Sequence, residues 1–369
     1  MLSMSSHYLR ILTRGGGGNQ RECIISAGLL ASLLKLCLVL PKVHPIFHLA
    51  QEHRSQNRSS YLPPYHNRTN WGDFGDLFDK HHFVSSLHKL GICVVDKVDY
   101  ALPSISARTA LPGLEIRKTW TDRKTWTTTF FWNGRRVRDE DLATTLSLAF
   151  AQGTDVLCRG GHGAGGVCSL ALQMDTCWTG FPLSRGENAA CQNLGACHEV
   201  TEALHPNAVI INASAQAVTV LTHRKTDVVW DALHLRAFMC VPRWANALAT
   251  FKRVFAQAGQ MASKTANRGL YLVSDVKLPP PILDMFQLQF GYNEGVVRKE
   301  AVLKTIWEDY PYEVVAQIDL EIGNALTEHS GGVYYAFEGS SSDAYLIARR
   351  NHTGAHTVVL RNKADLLCQ

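Results

Sequence analysis

Four consecutive glycines, Gly15 to Gly18, lead into an apolar stretch from Cys23 to Leu40 whose only polar residues are Ser26, Ser32 and Lys35. Such a stretch has two incompatible destinations. As a signal peptide or membrane anchor it is preceded by Arg10, Arg14 and Arg21. It barely reaches the ~18 residues that a span requires, and a lysine at the bilayer centre costs about 2.5 kcal/mol or more. As part of a globular unit it parses as a strand, His7 to Leu12; a glycine turn, Thr13 to Gly18; a helix, Gln20 to Leu36; and a second strand, Leu38 to Pro41. In a strand–turn–helix–strand unit the glycines let backbone N–H groups approach a phosphate, and the helix N-terminus adds partial positive charge. A nucleotide would then sit at Gly15 to Asn19. A bare glycine run also serves as a flexible linker, so spacing alone leaves both readings open.

Composition narrows the class. The chain has 369 residues, 46% apolar and 19% charged, which excludes a disordered, collagen-like or small disulfide-scaffold protein. At about 150 residues per domain this length predicts two domains. Lys and Arg number 37 against 32 Asp and Glu, a net charge of +5. That is too weakly basic for a dedicated nucleic-acid binder and suits a small anionic substrate. Of the 10 cysteines, Cys158, Cys168, Cys177, Cys191 and Cys197 crowd one stretch, with no CxxC pair for a zinc ribbon; disulfides or buried thiols are expected. N-x-[ST] sequons at Asn57, Asn67, Asn212 and Asn351 lean toward the secretory route.

Several blocks resemble one family in the right order. The first is GGGGNQRECIISAGLLASLLKLCLVLPKV, followed by WGDFGDLFDKHHFVSSLHKLGICVVD. Further along come WDALHLR, with His234, Leu235 and Arg236; GLYLVSD; and IDLEIGN…FEGSSSDAYLIARR, with Asp319, Ser341, Ser342 and an Arg-Arg pair. Together these resemble the GDP-fucose protein O-fucosyltransferases and their plant relatives, while Tyr100 to Lys225 matches poorly. The resemblance implies an α/β fold of GT-B type: two Rossmann-like domains, 1–215 and 216–369, facing across a cleft. It further implies a glycosyltransferase of the endoplasmic reticulum or Golgi that moves fucose from GDP-fucose to a protein or glycan hydroxyl with inversion. A membrane association is not required by it.

Glycosyl transfer from a nucleotide sugar builds negative charge on the leaving diphosphate, and stabilising that charge is the main catalytic task. The resemblance assigns Gly16, Gly17, Gly18, Asn19, Ser341 and Ser342 to donor binding, Arg236 to leaving-group stabilisation, His234 to the nucleotide sugar, and Asp319 to guanine or ribose. An arginine fork and backbone donors can do this without a metal, and no Asp-x-Asp pair lies near these blocks. No cofactor is expected beyond the donor substrate. The general base stays unassigned among Glu22, Asp73 and Asp231. The chain departs from the family at Ala237 to Cys240, where an acidic residue is usual, and at Asp343 and Ala344, where an aromatic and a hydroxyl are usual. A UDP-rhamnose-dependent rhamnosyltransferase of the same superfamily and a catalytically degenerate glycan-binding relative are the alternatives. Finally, Arg117 to Arg138 is basic and Thr-rich with three Trp, and is read as strands around an Asn133-Gly134 turn in preference to a nucleic-acid or anionic-glycan surface.

Overall fold

A computed structural model describes residues 7–13, 16–44, 72–97, 104–120, 126–159, 170–174, 197–224, 227–235, 267–274, 283–284, 287, 291–302, 310–337 and 340–360. The chain divides into two compact units, Met1–Asn207 and Ala208–Gln369. The division falls a little before residue 215, because helix Ala208–Arg224 packs on an element of the second unit.

The first unit is built on the βαβ parse. Strand β1 (His7–Ile11) leads through the glycines into helix α1 (Gly17–Leu34) and then to β2 (Cys37–Val39), which pairs with β1 in parallel, Tyr8 opposite Cys37 and Leu9 opposite Leu38. Strands β3 (Val94–Val95), β4 (Ser104–Ser106) and β8 (Leu170–Met174) complete a sheet of order β3-β2-β1-β8-β4, every described pair parallel. A parallel sheet is covered on both faces, so the elements around it are nearly continuously apolar. Helix α1 follows that rule and is buried on most of its circumference, from Cys23 through Leu34. This explains why it resembles an anchor in sequence; among the described residues no helix is long and apolar enough to cross a membrane. Lys35 is not inside the helix but ends it, in the left-handed conformation (φ 53°), with its side chain exposed. Gly28 lets α1 approach helix Cys197–Ala203, since a Cβ there would lie 2.8 Å from Val200 Cγ1.

A disulfide joins Cys37 on β2 to Cys93, the residue before β3. The basic segment forms a separate antiparallel sheet, β5 (Leu114–Trp120), β6 (Trp126–Trp132) and β7 (Arg135–Arg136). Asn133 (φ 50°) and Gly134 (φ 78°) make the two-residue turn between β6 and β7, as the Asn-Gly pair predicts. Most of the cysteine-rich stretch, the Gln51 to Asn70 segment and the Pro279 to Pro281 run lie outside the described residues.

The second unit repeats the plan. Strands β9 (Val228–Leu235), β10 (Asn267–Ser274), β11 (Val296–Arg298), β12 (Tyr334–Phe337) and β13 (Thr357–Leu360) form a parallel sheet of order β11-β10-β9-β12-β13. Helix Tyr312–Ser330 lies on β9 and β10. Gly323 allows that contact, because a Cβ there would meet Val273 Cγ2 at 2.7 Å and Ala232 Cβ at 3.3 Å. The expected α/β class with two Rossmann-like parallel sheets is therefore what the chain adopts.

Candidate functional site

In an open parallel sheet, ligands bind beyond the carboxyl ends of the strands, where the strand order reverses. The reversal lies between β1 and β8 in the first unit and between β9 and β12 in the second. Both places carry residues singled out from the sequence.

In the first unit, the turn after β1 delivers Gly16 as the N-cap of α1, in extended backbone (φ −68°, ψ 173°), with Gly17, Gly18 and Asn19 in the first helical turn. The N-terminal turn of a helix has N–H groups outside the intrahelical ladder and a partial positive charge, and no acidic residue in this turn offsets it. Two side chains that sequence reasoning passed over hold the turn. Gln20 accepts from the His44 amide at 2.7 Å and donates to the His44 carbonyl at 3.0 Å, while Thr13 donates to the Lys42 carbonyl at 2.7 Å. Gln20, Thr13 and His44 are all buried, so α1 is fixed to the chain leaving β2. Burial also holds the His44 pKa below its ordinary value. The available signal was the second amide of the Asn19-Gln20 pair that follows the glycines, where a solvated face would have tolerated any polar residue.

In the second unit, β9 brings His234 to its carboxyl end; Arg236, the next residue but one, lies outside the described residues. The His234 Nδ1 is 2.9 Å from Asp343 Oδ1. Asp343 is fully buried in the first turn of helix Ser341–Thr353, where its amide donates to the Oγ of the N-cap Ser340 at 3.4 Å. The Tyr334 hydroxyl, on β12, lies 3.4 Å from the same carboxylate oxygen; burial, then the Asp343 charge, push the Tyr334 pKa well up. Ser341 and Ser342 open the same helix. The switch point thus gathers His234, Asp343 and the serine-rich helix start.

Asp319 is placed differently. It lies in the interior of helix Tyr312–Ser330, 2% exposed. It accepts from Tyr271 Oη at 2.7 Å, the Ser274 amide at 3.2 Å and Lys299 Nζ at 3.1 Å. Lys299 also donates to the Ser274 carbonyl at 2.6 Å. Burial pushes the Asp319 pKa up against the opposing pull of Lys299 and Tyr271. Its carboxylate is committed to joining the ends of β10 and β11.

Other residues noted in the sequence are structural. Asp231 is bound by Arg268 at 2.6 Å, the Val333 amide at 2.8 Å and Tyr292 Oη at 3.1 Å. Arg268 stands near the amino end of β10, away from the carboxyl ends of the strands, and Asp231 is 1% exposed. The Arg-Arg pair points inward: Arg349 meets Glu321 at 3.1 Å, and Arg350 meets Asn324 Oδ1 at 2.9 Å and Thr327 Oγ1 at 2.7 Å. Asp73 is exposed at the start of a short 3-10 turn, Phe74–Asp76. Among the described residues no group of three His, Cys, Asp or Glu side chains could hold a metal ion.

No family model matches the chain. O-fucosyltransferase 11 of Arabidopsis thaliana is 28% identical over 134 residues, 36% of this chain and 18% of that protein. The chain thus matches less than a fifth of that curated relative's length. Among solved structures, POFUT1 in complex with GDP aligns over 97% of this chain and 99% of its own, at 12% identity and TM-score 0.49. The NodZ α-1,6-fucosyltransferase soaked with GDP-fucose aligns over 98% and 97%, at 10% identity and TM-score 0.48. Over the 134 matched residues the chain is similar in sequence to that O-fucosyltransferase.

Proposed function

We propose that the protein is a metal-independent, inverting glycosyltransferase that takes fucose from GDP-fucose and places it on a hydroxyl of a protein or glycan. The observation that carries the reading is the clustering of His234 and the Ser341 and Ser342 helix start at a topological switch point, in a chain with O-fucosyltransferase sequence similarity. A helix N-terminus offers backbone donors to an anionic group. The glycine turn Gly16 to Asn19, at the N-terminus of α1, offers the same to phosphate. Arg236, two residues beyond His234, is the group assigned to the charge that develops on the leaving diphosphate. Its planar fork suits two phosphate oxygens at once. Contact of Asp319 with guanine or ribose would require one of its bonds to Tyr271, Ser274 or Lys299 to yield. The Cys37–Cys93 disulfide and the exposed sequon residues Asn212 and Asn351 support a place in the secretory pathway, in the endoplasmic reticulum or Golgi.

The test is release of GDP from GDP-fucose in the presence of chelator, with glycoprotein and glycan acceptors, for wild type and Arg236→Ala. Turnover should fall by about 10²-fold or more in the variant, the scale of losing a principal charge-stabilising donor. Turnover of UDP-rhamnose instead would move the chain to the rhamnosyltransferases. Binding of nucleotide with no transfer to any acceptor would make it a degenerate relative.

A further inference from the structure

Asp343 departs from the family pattern, yet its carboxylate is the fully buried partner of His234. We infer that Asp343 is a positioning residue that fixes the tautomer of His234, so that the imidazole presents a bare Nε2 to a hydroxyl rather than an N–H to a phosphate. An ionised carboxylate only accepts hydrogen bonds, so the 2.9 Å contact requires the proton on Nδ1. In the neutral ring Nε2 then carries a lone pair and no proton. That atom repels a phosphate oxygen and accepts from a sugar or acceptor hydroxyl. Tyr334 on β12 holds the same carboxylate oxygen from a second direction, and the Oγ of the Ser340 cap accepts from the Asp343 backbone amide, which fixes the residue at the helix start. The pair joins the end of β9 to the helix that follows β12, so it spans the switch point. The imidazole keeps 12% of its side chain exposed, and Asp343 is its hydrogen-bond partner among the described residues.

The hydroxyl has two sources, the sugar of the donor or the incoming acceptor. In either case the pair deepens the proposed transferase function and rests on it. If the acceptor is the source, Nε2 takes the proton of that hydroxyl as its oxygen bonds to the anomeric carbon and the bond from that carbon to the diphosphate breaks; the diphosphate leaves with the electron pair. This would fill the general-base role left unassigned among Glu22, Asp73 and Asp231.

The experiment has a part that needs no donor. In protein labelled with 15N-histidine, the ring signals of His234 are identified among the 16 histidines by their loss in His234→Gln. The wild type should show a protonated Nδ1 and an unprotonated Nε2, and Asp343→Asn should shift the ring toward the Nε2-protonated tautomer. A protonated Nε2 in the neutral wild-type ring overturns the inference. Calorimetry with GDP and GDP-fucose then separates the sources. A tenfold loss of GDP-fucose affinity in Asp343→Asn and His234→Gln, with GDP affinity within twofold, identifies the donor sugar. Unchanged affinity for both, with kcat reduced at least tenfold and the pH profile displaced, identifies the acceptor. An equal loss of GDP and GDP-fucose affinity, or unchanged affinity with unchanged kcat and pH profile, overturns the role. If the wild type shows the expected tautomer but binds neither ligand, the transferase reading fails and takes the hydroxyl role with it.

Discussion

At the residue scale, the chemistry depends on which polar side chains have acceptors or donors to spare. Asp231 and Asp343 look alike in the sequence, each a carboxylate within one of the family-like blocks, WDALHLR and FEGSSSDAYLIARR. Their surroundings give them opposite parts. Asp231 is closed off by Arg268, Tyr292 and the Val333 amide, whereas Asp343 faces a histidine at the carboxyl end of β9. Removing one partner of a buried ion pair strands the other charge, at about 3–5 kcal/mol. Asp231→Ala should therefore cost about that much in urea unfolding, while the fraction that remains folded keeps nucleotide affinity unchanged. Loss of catalysis in a fully stable Asp231→Asn would contradict this structural assignment. His234 was legible from its place in WDALHLR. Its partner was not, because 109 residues separate the two and only the return of the chain from β12 brings them together. The partners of Asp319, which the resemblance assigns to guanine or ribose, were hidden for a related reason: sequence order does not say which face of a helix meets the sheet.

At the element scale, the strand, glycine turn, helix and strand of the first unit were legible because each has its own pattern and the glycines punctuate them. The boundaries shifted by a few residues, and Lys35, taken as a charge within the apolar run, turned out to be its stop signal. Strands β3 and β4 have only 2 and 3 residues, too few for an alternating pattern to register. Gln20 makes the turn rigid, and Gln20→Ala would leave the buried His44 amide and carbonyl without that partner. An unmade bond to a buried polar group costs about 1–3 kcal/mol, so thermal unfolding should show a loss of that order, and hydrogen exchange should rise at His44. The same site has a pH signature. His44 has a folded pKa below 6.5 through burial, so below pH 6.5 the unfolded chain takes up the proton first. Its contribution to stability is complete above pH 6.5 and is lost as pH falls through the folded value. Unfolding free energies should therefore decline more steeply with acidification below pH 6.5 in wild type than in His44→Gln. Equal slopes would contradict burial of a neutral His44.

At the scale of the whole molecule, two parallel sheets each place a helix N-terminus at a reversal of strand order, one after the glycine turn and one at the serine run. Two Rossmann-like units were what the family resemblance implied, whereas the serine run was expected as a turn and not as a helix start, which is why the fold was easier to read than the details within it. The Cys37–Cys93 link closes a separation of 56 residues. A loop of that size is worth about 4 kcal/mol in the chain-entropy treatment. The Cys37→Ser, Cys93→Ser double variant should lose stability on that scale, and the wild type should lose it on reduction; unfolding midpoints unchanged by reductant would contradict the bond. The central claim is that a guanine nucleotide sugar binds at the carboxyl edges without a metal. Its most direct test is calorimetric titration of GDP and UDP into wild type and Arg236→Ala in chelator. Saturable binding of GDP over UDP that weakens markedly in the variant is the predicted result. No binding of either nucleotide by folded wild-type protein would contradict it.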